Sequence, residues 1–524
     1  MGKEILHWAD KIAEKIIHTK GEKELYVCAS GITPSGTVHI GNFREIISVD
    51  LVVKALRDKG KEVRFIYSWD DYDVFRKVPE NMPNKDMLKQ YIRKPIVSTP
   101  DPFGKEPSYA RKNEVEIEKI LPKVGIYPEF IYQSTNYKKS VYADRIKMAL
   151  DKKNKIAEIL NEHRTTALED NWVPISIFCS NCMRDTTQID NWDGDYKISY
   201  KCNSCEHNEE KDLRSADNIK LFWRIDWPMR WDYEKVDFEP AGKEHHSRGG
   251  SFDTASLISK EVYGFNPPVT FKYDFISIKG QGGKISSSLG NVISLADVLE
   301  IYQPEIVRYL FAGTRPDTEF SISFDLDVIK IYEDYDRCER IYYGLEEISE
   351  KKREKIKRIY ELSQIEEILE EMTPQVPFRH LCNLLQIHSG NICDVVNTFK
   401  IKRINDSDRL SLRSKCAWNW VTNYAPDSFR FTLRDEDANP LNLKDVEKKM
   451  IYKLRDEIGR SFETFDEKSL SELFYSIAFK YNYEPKEFYK MVYRVLIEKE
   501  MGPRLANFIL TIGKERIQKI LESY

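Results

Sequence analysis

Apolar residues in the N-terminal region follow a helical period in some segments and form short continuous runs in others. Within residues 4–20 they recur every three to four positions, which predicts an amphipathic helix. The apolar run at residues 24–30 predicts a buried strand. A second helical period runs from His39 to Gly60, and residues 63–69 predict another strand. The order strand, turn, helix, strand is typical of a Rossmann-like, doubly wound parallel sheet, in which ligands bind at the carboxyl ends of the strands.

The pattern changes twice further along the chain. Residues 111–170 predict charged helices, and residues 172–215 contain a cluster of cysteines between strand-like runs. Residues 273–278 predict a late strand. From about residue 330 to Tyr524, long charged helical patterns dominate, which predicts a separate all-helical C-terminal domain.

Composition narrows the class of protein. The 524 residues are 41% hydrophobic and 32% charged, which favours a folded chain of several domains over a disordered one. The formal net charge of −4 gives no global sign of nucleic-acid binding, so such contacts require a local basic face. We find neither a signal peptide nor an apolar stretch long enough to span a membrane, and therefore expect a cytoplasmic protein without a membrane partner.

Four of the nine cysteines lie close together: Cys179, Cys182, Cys202 and Cys205. They form two pairs, each with two residues between its members, which is the spacing of two knuckles that close on one tetrahedral structural Zn²⁺. The alternative is four free or disulfide-paired cysteines. Four thiolates leave no open coordination position, so we expect no catalytic role for the metal.

These patterns predict an α/β fold with a zinc-bearing insertion and an all-α C-terminal domain. The predicted boundaries are a first Rossmann half at 1–110, a helical and zinc-binding insertion at 111–220, a second Rossmann half at 221–330 and the helical domain at 331–524.

The turn between the first strand and the second helix has the composition of a phosphate-binding site. Free backbone N–H groups and the positive end of a helix face such a junction, and glycines allow a close approach. His39 and Asn42 can donate hydrogen bonds to phosphate oxygens, although a lone histidine is more often structural. The candidate ATP-binding residues here are Thr33, Pro34, Ser35, Gly36, His39, Gly41 and Asn42.

A second candidate segment lies far downstream and contains Lys284, Ser286, Ser287 and Ser288. One lysine and three hydroxyls can hold a triphosphate and stabilise its charge as a P–O bond breaks. Taken alone, the segment is more typical of a polar surface loop.

Together the two segments match the two signature motifs of class I aminoacyl-tRNA synthetases. Five wider stretches closely resemble the class I lysyl-tRNA synthetases: residues 31–45, 171–179, 223–231, 240–254 and 279–291. A looser similarity extends to Gly502, Pro503 and Arg504, so the resemblance covers most of the chain.

The resemblance implies a Rossmann catalytic domain, a zinc-bearing insertion and a helical anticodon-binding domain. It implies that L-lysine reacts with ATP, in the presence of Mg²⁺, to give lysyl-adenylate, and that the lysyl group passes to the 3′ end of tRNA(Lys), which is held by its acceptor stem and anticodon. His39, Asn42 and Lys284 match the catalytic motifs, and Gly242 with Glu244 matches the motif that holds the adenosine ribose. Leu289 departs from the family, which typically has a second lysine there.

Lysine recognition requires oxygen acceptors for the ammonium and an aromatic wall for the alkyl chain. The candidates are Gly31, Thr33, Asp70, Asp71, Trp223, His245 and Tyr273. The aspartates could instead be a solvated turn or a helix cap, and the aromatic residues could be ordinary core.

Contact with tRNA requires cations and aromatic platforms. The helical region supplies Phe399, Lys400, Ile401, Lys402, Arg403, Arg409, Arg413, Lys415, Trp418 and Trp420. The alternative for each charged residue is a solvated helix face.

Two other functions remain open from the sequence alone. One is a class I synthetase for another amino acid such as glutamate, although a substrate carboxylate would require a cation where Thr33, Asp70 and Asp71 stand. The other is a catalytically impaired tRNA-binding paralogue, which Leu289 suggests.

Overall fold

The computed structural model describes residues 7–80, 82–279, 293–401, 403–435 and 439–524. These residues form two compact units. The first comprises the described parts of Met1–Val298, Pro304–Ile322 and Cys338–Glu370, and the second comprises those of Leu299–Gln303, Ser323–Arg337 and Glu371–Tyr524.

The strands are β1 (Leu25–Ile32), β2 (Glu62–Trp69), β3 (Glu129–Tyr132), β4 (Ile175–Ile177), β5 (Thr187–Trp192), β6 (Lys197–Cys202), β7 (Asn208–Asp212), β8 (Ile219–Leu221), β9 (Ala241–Gly242), β10 (Lys272–Tyr273), β11 (Ile276–Ile278) and β12 (Phe320–Ile322).

The helices up to residue 342 are α1 (Trp8–Lys20), α2 (Ile40–Arg57), α3 (Lys85–Lys89), α4 (Tyr109–Ile120), α5 (Gln133–Lys138), α6 (Ala143–Asp151), α7 (Lys153–Asn161), α8 (Trp223–Glu234), α9 (Ser251–Glu261), α10 (Leu295–Ile301), α11 (Pro304–Gly313) and α12 (Asp327–Tyr342). The later helices are α13 (Glu350–Ser363), α14 (Phe378–Ile387), α15 (Ile392–Thr398), α16 (Ile404–Asn423), α17 (Asp445–Ser461), α18 (Glu467–Lys480), α19 (Pro485–Ile497), α20 (Leu505–Ile512) and α21 (Lys514–Glu522).

A parallel sheet forms the centre of the first unit. β1 pairs with β2, and β2 pairs with β3. On the other side of β1, Phe238 forms parallel bridges to Cys28 and to Val269, and β9 then pairs with β10 in the same sense. Most of β1 is buried, as expected of an inner parallel strand covered on both faces, and this explains its continuous apolar sequence. The prediction of an α/β fold with a parallel sheet and a helical C-terminal region is therefore confirmed.

The cysteine-containing segment forms antiparallel structure beside this sheet. β5, β6 and β7 make a three-stranded antiparallel sheet, and β4 pairs with β8. Short antiparallel strands suit this segment because its residues alternate between buried and exposed positions, as in β6.

Two local predictions differ from the structure. The strand expected at 273–278 is split into β10 and β11, with Asp274 and Phe275 between them. The charged stretch 111–170 contains β3, which is only four residues long and begins at the exposed Glu129, so it carries little strand signal.

The second unit is helical. α17 to α21 enclose an apolar core that includes Met450, Leu454, Phe474, Phe488 and Phe508. Across the described parts of both units, no helix combines the length and the apolar character required to cross a membrane.

A buried ion pair holds α16 to α12 in the second unit. The Arg413 guanidinium donates to both carboxylate oxygens of Asp336, at 3.0 and 2.6 Å, and both side chains are buried. Arg413 therefore has a structural partner, which removes it from the surface that could contact RNA.

This pair gives a stability prediction. Arg413→Met should lower the free energy of unfolding by roughly 3–5 kcal/mol, because it leaves the Asp336 carboxylate buried without its cation. The double variant Arg413→Met/Asp336→Leu should recover most of that loss, because it removes both charges. Urea unfolding of the three proteins measures the difference, and a double variant as unstable as the single one would contradict the assignment.

Candidate active site

A cavity of about 740 Å³ opens at the carboxyl ends of β1 and β2. Carboxylates, aromatic rings and the turn before α2 line its wall. Its lining residues include Gly31, Thr33, Ser35, His39, Gly41, Asn42, Glu45, Tyr67, Asp70, Asp73, Arg76, Lys77, Trp223, Glu244, His245 and Tyr273. Ligands of open parallel sheets bind at this position, where the strand ends and helix N-termini meet.

The turn before α2 is held in place by hydrogen bonds at both ends. His39 is the N-cap of α2: its Nδ1 accepts from the Asn42 backbone N–H, and the Asn42 Oδ1 accepts from the His39 backbone N–H. Tyr109 and Asn113 on α4 donate to the carbonyls of Ser35 and Pro34. The positive end of α2 therefore faces the cavity in a fixed loop.

Gly41 has no room for a side chain. A Cβ there would lie 2.9 Å from the His39 ring. The glycine therefore allows the His39 ring to fold back over the first turn of α2. The same argument applies to Gly31, whose Cβ would lie 2.8 Å from the Ser68 carbonyl oxygen on the neighbouring strand β2.

The second predicted phosphate segment, Lys284 with Ser286, Ser287 and Ser288, lies outside the described residues, as does Leu289. The chain that follows this segment reaches the start of α2. The Ile40 N–H donates to the Ile293 carbonyl at 2.8 Å, and Ser294 forms an antiparallel bridge with His39.

A largely buried cluster of charges adjoins the cavity, and two of its members, Asp70 and Asp73, line the wall. Arg230 contacts Asp70 at 2.6 Å and Asp226 at 3.3 Å, and Lys220 pairs with Asp73. Thr33 Oγ1 also donates to Asp73 at 3.0 Å. The cluster thus contains three carboxylates against two cations.

The two cavity-lining aspartates of this cluster have opposite pKa shifts. Burial, only partly offset by Arg230, raises the pKa of Asp70. Burial would also raise the pKa of Asp73, but Lys220 and the Thr33 hydroxyl together bring it below its ordinary value. Asp73 is therefore the firmly ionised carboxylate of the pair.

Glu45 on α2 is a cavity residue that sequence reasoning missed. It accepts hydrogen bonds from Ser30 Oγ at 2.7 Å, the Gly31 N–H at 3.2 Å and the Tyr273 hydroxyl at 2.5 Å. Burial raises its pKa. Its position on the face of α2 that turns toward β1 is a signal that could have indicated it.

Among the described residues predicted to bind lysine or ATP, four lie outside the cavity lining: Pro34, Gly36, Asp71 and Gly242. Asp71 is buried, and its carboxylate accepts from the Ser134 N–H at 2.7 Å and from the Ser134 hydroxyl. Pro34 and Gly36 are buried within the turn. Gly242 adjoins Glu244, and a Cβ at Gly242 would lie 2.7 Å from Glu244 Oε2.

A group of aromatic rings that includes the cavity-lining Trp223 and His245 lies at the start of α8. Trp223 and Trp227 stack at 5.9 Å, and each ring centroid lies 6.1 Å from that of His245. The His245 Nδ1 is 3.2 Å from Ser251 Oγ at the start of α9. Trp223 remains 37% exposed, so part of its face is open to a ligand.

The four clustered cysteines come together in space. The Cys179 and Cys205 sulfurs are 3.6 Å apart, as are those of Cys182 and Cys202, and all four lie within 4.8 Å of one another. A tetrahedron with Zn–S bonds of about 2.3 Å has edges of about 3.8 Å, which these separations match.

The two knuckles have the same backbone form. The N–H of Met183 donates to the Cys179 carbonyl and that of Glu206 to the Cys202 carbonyl, at 2.8 and 2.9 Å. Met183 and Glu206 both have positive φ, 60° and 58°. This repeated turn directs both thiols of each pair to one point.

Comparison with known proteins places the chain among tRNA synthetases. A family model described as tRNA synthetases class I (K) matches residues 6–366. The chain is 57% identical over 518 residues to a lysine–tRNA ligase of Borrelia garinii subsp. bavariensis, and 53% identical over 524 residues to one of Treponema pallidum. It is 41% identical over 529 residues to a lysine–tRNA ligase of Thermococcus kodakarensis. Each match covers 99% of both chains.

A carboxyl behind the cavity gives a pH prediction. Glu239 is buried and accepts from Trp231 Nε1 at 2.6 Å, and burial with the nearby Glu45 raises its pKa to about 7. An unfolded glutamate titrates near pH 4.3, so the folded protein binds the extra proton between about pH 4.3 and 7, and stability falls as pH rises through that range. Glu239→Gln should reduce this fall by about 1 kcal/mol or more, measured by urea unfolding at about pH 5 and 7.5.

The matched control is Glu129→Gln. Arg64 holds the pKa of Glu129 below its ordinary value, so between about pH 5 and 7.5 this group is mostly ionised in both the folded and the unfolded state. Its variant should keep the parent's pH slope. Equal slopes for Glu239→Gln and the parent would show that Glu239 is ionised in the folded protein.

Proposed function

The chain belongs to the class I tRNA synthetases for lysine, and we propose that the cavity at the carboxyl ends of β1 and β2 is where it performs lysine–tRNA ligation. The activity has two steps. A carboxylate oxygen of lysine attacks the α-phosphorus of ATP, the bond to the β-phosphate oxygen breaks, and pyrophosphate leaves. A ribose hydroxyl at the 3′ end of tRNA(Lys) then attacks the carbonyl carbon of lysyl-adenylate, and AMP leaves.

The observation that carries this placement is the surplus of negative charge in the cavity wall. Among the described residues, Asp70, Asp73 and Asp226 form ion pairs only with Lys220 and Arg230, and Asp70 and Asp73 line the cavity. Buried charges are stable when they are paired, so this wall favours a ligand that brings a cation. A lysine ammonium supplies it, whereas a substrate carboxylate such as that of glutamate would be repelled.

Aromatic and backbone groups complete the proposed lysine site. Trp223 and Tyr273 border the cavity, where they can shield the alkyl chain and attract the ammonium through their π faces. His245, Thr33 and Gly31 line the same space. In our proposal Asp73 and Glu45 join this set, and Asp71, whose carboxylate faces Ser134, supports the strand end from behind.

The proposed ATP site adjoins it at the start of α2. His39 and Asn42 hold the first turn of α2 at the cavity, where the positive end of the helix dipole can stabilise the charge that develops on the α-phosphate. The exposed Arg76 and Lys77 border the cavity, where they can attract the phosphates. Because Ile293 and Ser294 contact this turn, we place Lys284 and Ser286 to Ser288 on the triphosphate. Glu244, which adjoins Gly242, is proposed to hold the adenosine ribose.

Two metals enter the proposal in different ways. Among the described residues, the four-cysteine cluster is the only grouping of three or more His, Cys, Asp or Glu side chains placed to hold an ion, so we propose that Mg²⁺ arrives with the ATP phosphates. A structural Zn²⁺ would be held by Cys179, Cys182, Cys202 and Cys205, and its bonds would fix the insertion at 111–220.

The contacts with tRNA are also part of the proposal. The insertion at 111–220 is proposed to contact the acceptor stem, and the helical domain at 331–524 is proposed to contact the anticodon. Lys402, one of the basic residues of that domain, lies outside the described residues.

One experiment tests the proposal directly. Pyrophosphate exchange into ATP should depend on lysine when tRNA is present, and Asp73→Asn should raise the KM for lysine by about tenfold or more, equivalent to about 1.4 kcal/mol. The substitution removes a negative charge and leaves the Lys220 ammonium unneutralised beside the substrate ammonium. The KM for ATP should change little.

Asp86→Asn is the matched control, because Asp86 is 94% exposed on α3, where it pairs with its neighbour Lys89. This variant should keep the parent's KM for lysine. An unchanged lysine KM in Asp73→Asn would remove Asp73 from the lysine site. Exchange that depends on glutamate alone, or none at all, would contradict the proposed chemistry.

Metal analysis tests the zinc site. The purified protein should contain one equivalent of Zn²⁺, and Cys179→Ser should contain none, since three thiolates and a hydroxyl form a much weaker site. Cys393→Ser, at an exposed cysteine outside the cluster, should retain the full equivalent. Retention of one equivalent by Cys179→Ser would refute the four-cysteine site.

A further inference from the structure

The chain that follows β2 lines part of the cavity and is held in place by a second segment, residues 93–97. The N–H of Ile96 donates to the Asp73 carbonyl, and the N–H of Phe75 donates to the Lys94 carbonyl, both at 2.8 Å. Between these two bonds, residues 74 and 95 form an antiparallel bridge. The cavity lining from the two segments comprises Asp73, Val74, Phe75, Arg76, Lys77 and Ile96. The position of residues 73–77 therefore depends on where residues 93–97 are held.

Arg93 begins the second segment and is fixed through both of its backbone groups. Its N–H donates to the Phe75 carbonyl at 2.9 Å, and its carbonyl accepts from the Asp185 N–H at 2.9 Å. Its φ of 74° lies in the left-handed region, which is uncommon for residues other than glycine and asparagine. Backbone strain of this kind persists only where surrounding contacts determine it, and it is frequent at functional sites.

Asp185, the partner of Arg93, lies between residues that are attached to the two cysteine knuckles. On one side, the Arg184 carbonyl accepts from the Cys179 N–H at 2.9 Å. On the other side, the Thr186 carbonyl accepts from the N–H of Asn203, in the second knuckle, at 2.8 Å. The folding of the four-cysteine cluster therefore determines where the Asp185 N–H and carboxylate lie.

The side chains of Arg93 and Asp185 strengthen this connection. The Arg93 Nε lies 2.7 Å from the Asp185 Oδ1, and the Asp185 side chain is only 9% exposed, whereas that of Arg93 is 48% exposed. Burial raises the pKa of Asp185, and the positive charges of Arg93 and of the cavity-lining Arg76 partly offset that rise. A carboxylate this buried requires a cation, so the ion pair favours a single placement of Arg93.

Residues 73–77 reach both parts of the proposed substrate cavity. Asp73 is the carboxylate that the proposed function assigns to the lysine ammonium. The Phe75 ring packs edge-on against Tyr109 at 5.4 Å, and the Tyr109 hydroxyl donates to the Ser35 carbonyl in the turn before α2. A shift of this segment would thus be felt at the lysine wall and at the phosphate turn.

We propose that Arg93 is a positioning residue for the lysine cavity: it joins the cysteine knuckles to residues 73–77, so that knuckles held by their metal fix the wall that contacts lysine. Arg93 does not line the cavity, and it therefore acts through Phe75 and Asp185. The proposal rests on the proposed function, because it takes lysine as the ligand and Zn²⁺ as the metal of the four cysteines.

Hydrogen exchange of the full-length protein, purified with its metal and without substrates, tests the connection. Arg93→Asn removes the charge, and asparagine tolerates the left-handed backbone. Amide exchange in a peptide that covers residues 73–77 should become about fivefold faster, the factor that corresponds to the energy of a partly exposed ion pair. Arg93→Lys, which keeps a cation, should exchange nearly as the parent does.

The matched control for this experiment is Arg214→Asn. Arg214 is 61% exposed and pairs with Asp212 at 2.6 Å in the same insertion. This variant should exchange as the parent does in residues 73–77. Exchange in Arg93→Asn that equals that of the parent and of the control would overturn the proposal.

Metal removal tests the direction of the effect. In the parent, a chelator that removes Zn²⁺ should speed exchange in residues 73–77, and in Arg93→Asn the same treatment should add little. Arg93→Asn itself should retain one equivalent of Zn²⁺, because the cysteines that hold the metal are unchanged. The proposal fails if the chelator has no effect on this segment in the parent, if it has the same effect in both proteins, or if Arg93→Asn loses the metal.

Kinetics distinguish positioning from a general loss of structure. In lysine-dependent pyrophosphate exchange with tRNA present, Arg93→Asn should raise the KM for lysine by about fivefold and keep kcat within about twofold of the parent. Arg93→Lys should restore the KM. An unchanged KM, or a fall in kcat alone, would contradict the positioning role.

The two kinds of measurement separate this proposal from the proposed function. Absence of lysine-dependent exchange in the parent refutes the proposed function, and with it the role of Arg93 in lysine binding. Normal exchange in the parent, with an unchanged KM and unchanged hydrogen exchange in Arg93→Asn, refutes the positioning role alone.

Discussion

The largely buried ion cluster beside the cavity at the carboxyl ends of β1 and β2 is the constraint on which the first unit depends. Its charges come from the end of β2, from β8 and from α8, and none of them could stay buried without the others. The single side chain of Arg230 contacts three groups: Asp70, Asp226 and the hydroxyl of Ser68. The segment that follows the cysteine cluster must therefore dock on β2 for the cavity wall to exist. The same charges that, in our proposal, favour lysine as a ligand also determine how the wall assembles.

Sequence reasoning succeeded where structure depends on near neighbours. β1, α2 and β2 agree with the expected elements because inner parallel strands have continuous apolar runs and a helix has a local period. It failed at β3, whose four residues form a strand only because β2 offers a partner. The gap between β10 and β11 also depends on a distant residue, since Arg44 of α2 donates from its guanidinium to the Phe275 carbonyl at 3.0 Å.

The residues of the candidate site also fall into those that local sequence could identify and those that it could not. His39 and Asn42 could be recognised because their roles at a helix start depend on a spacing of three. Asp73 and Glu45 could not, because their partners are Lys220 and Tyr273, far away in the chain. The sequence also gave no means to separate Asp70 from Asp71. Consecutive residues at a strand end point to opposite sides, so one carboxylate faces the cavity and the other faces Ser134.

The central position of β1 affects how the chain folds as it is synthesised. β1 acquires β2 as a partner soon after it leaves the ribosome, but its other edge pairs with the segment around Asp237, 210 residues later. Until that segment emerges, one edge of a buried apolar strand has unpaired backbone groups and can pair with another chain. Nascent chains interrupted before this point should therefore depend most on chaperones, since long-range parallel pairing is also slow.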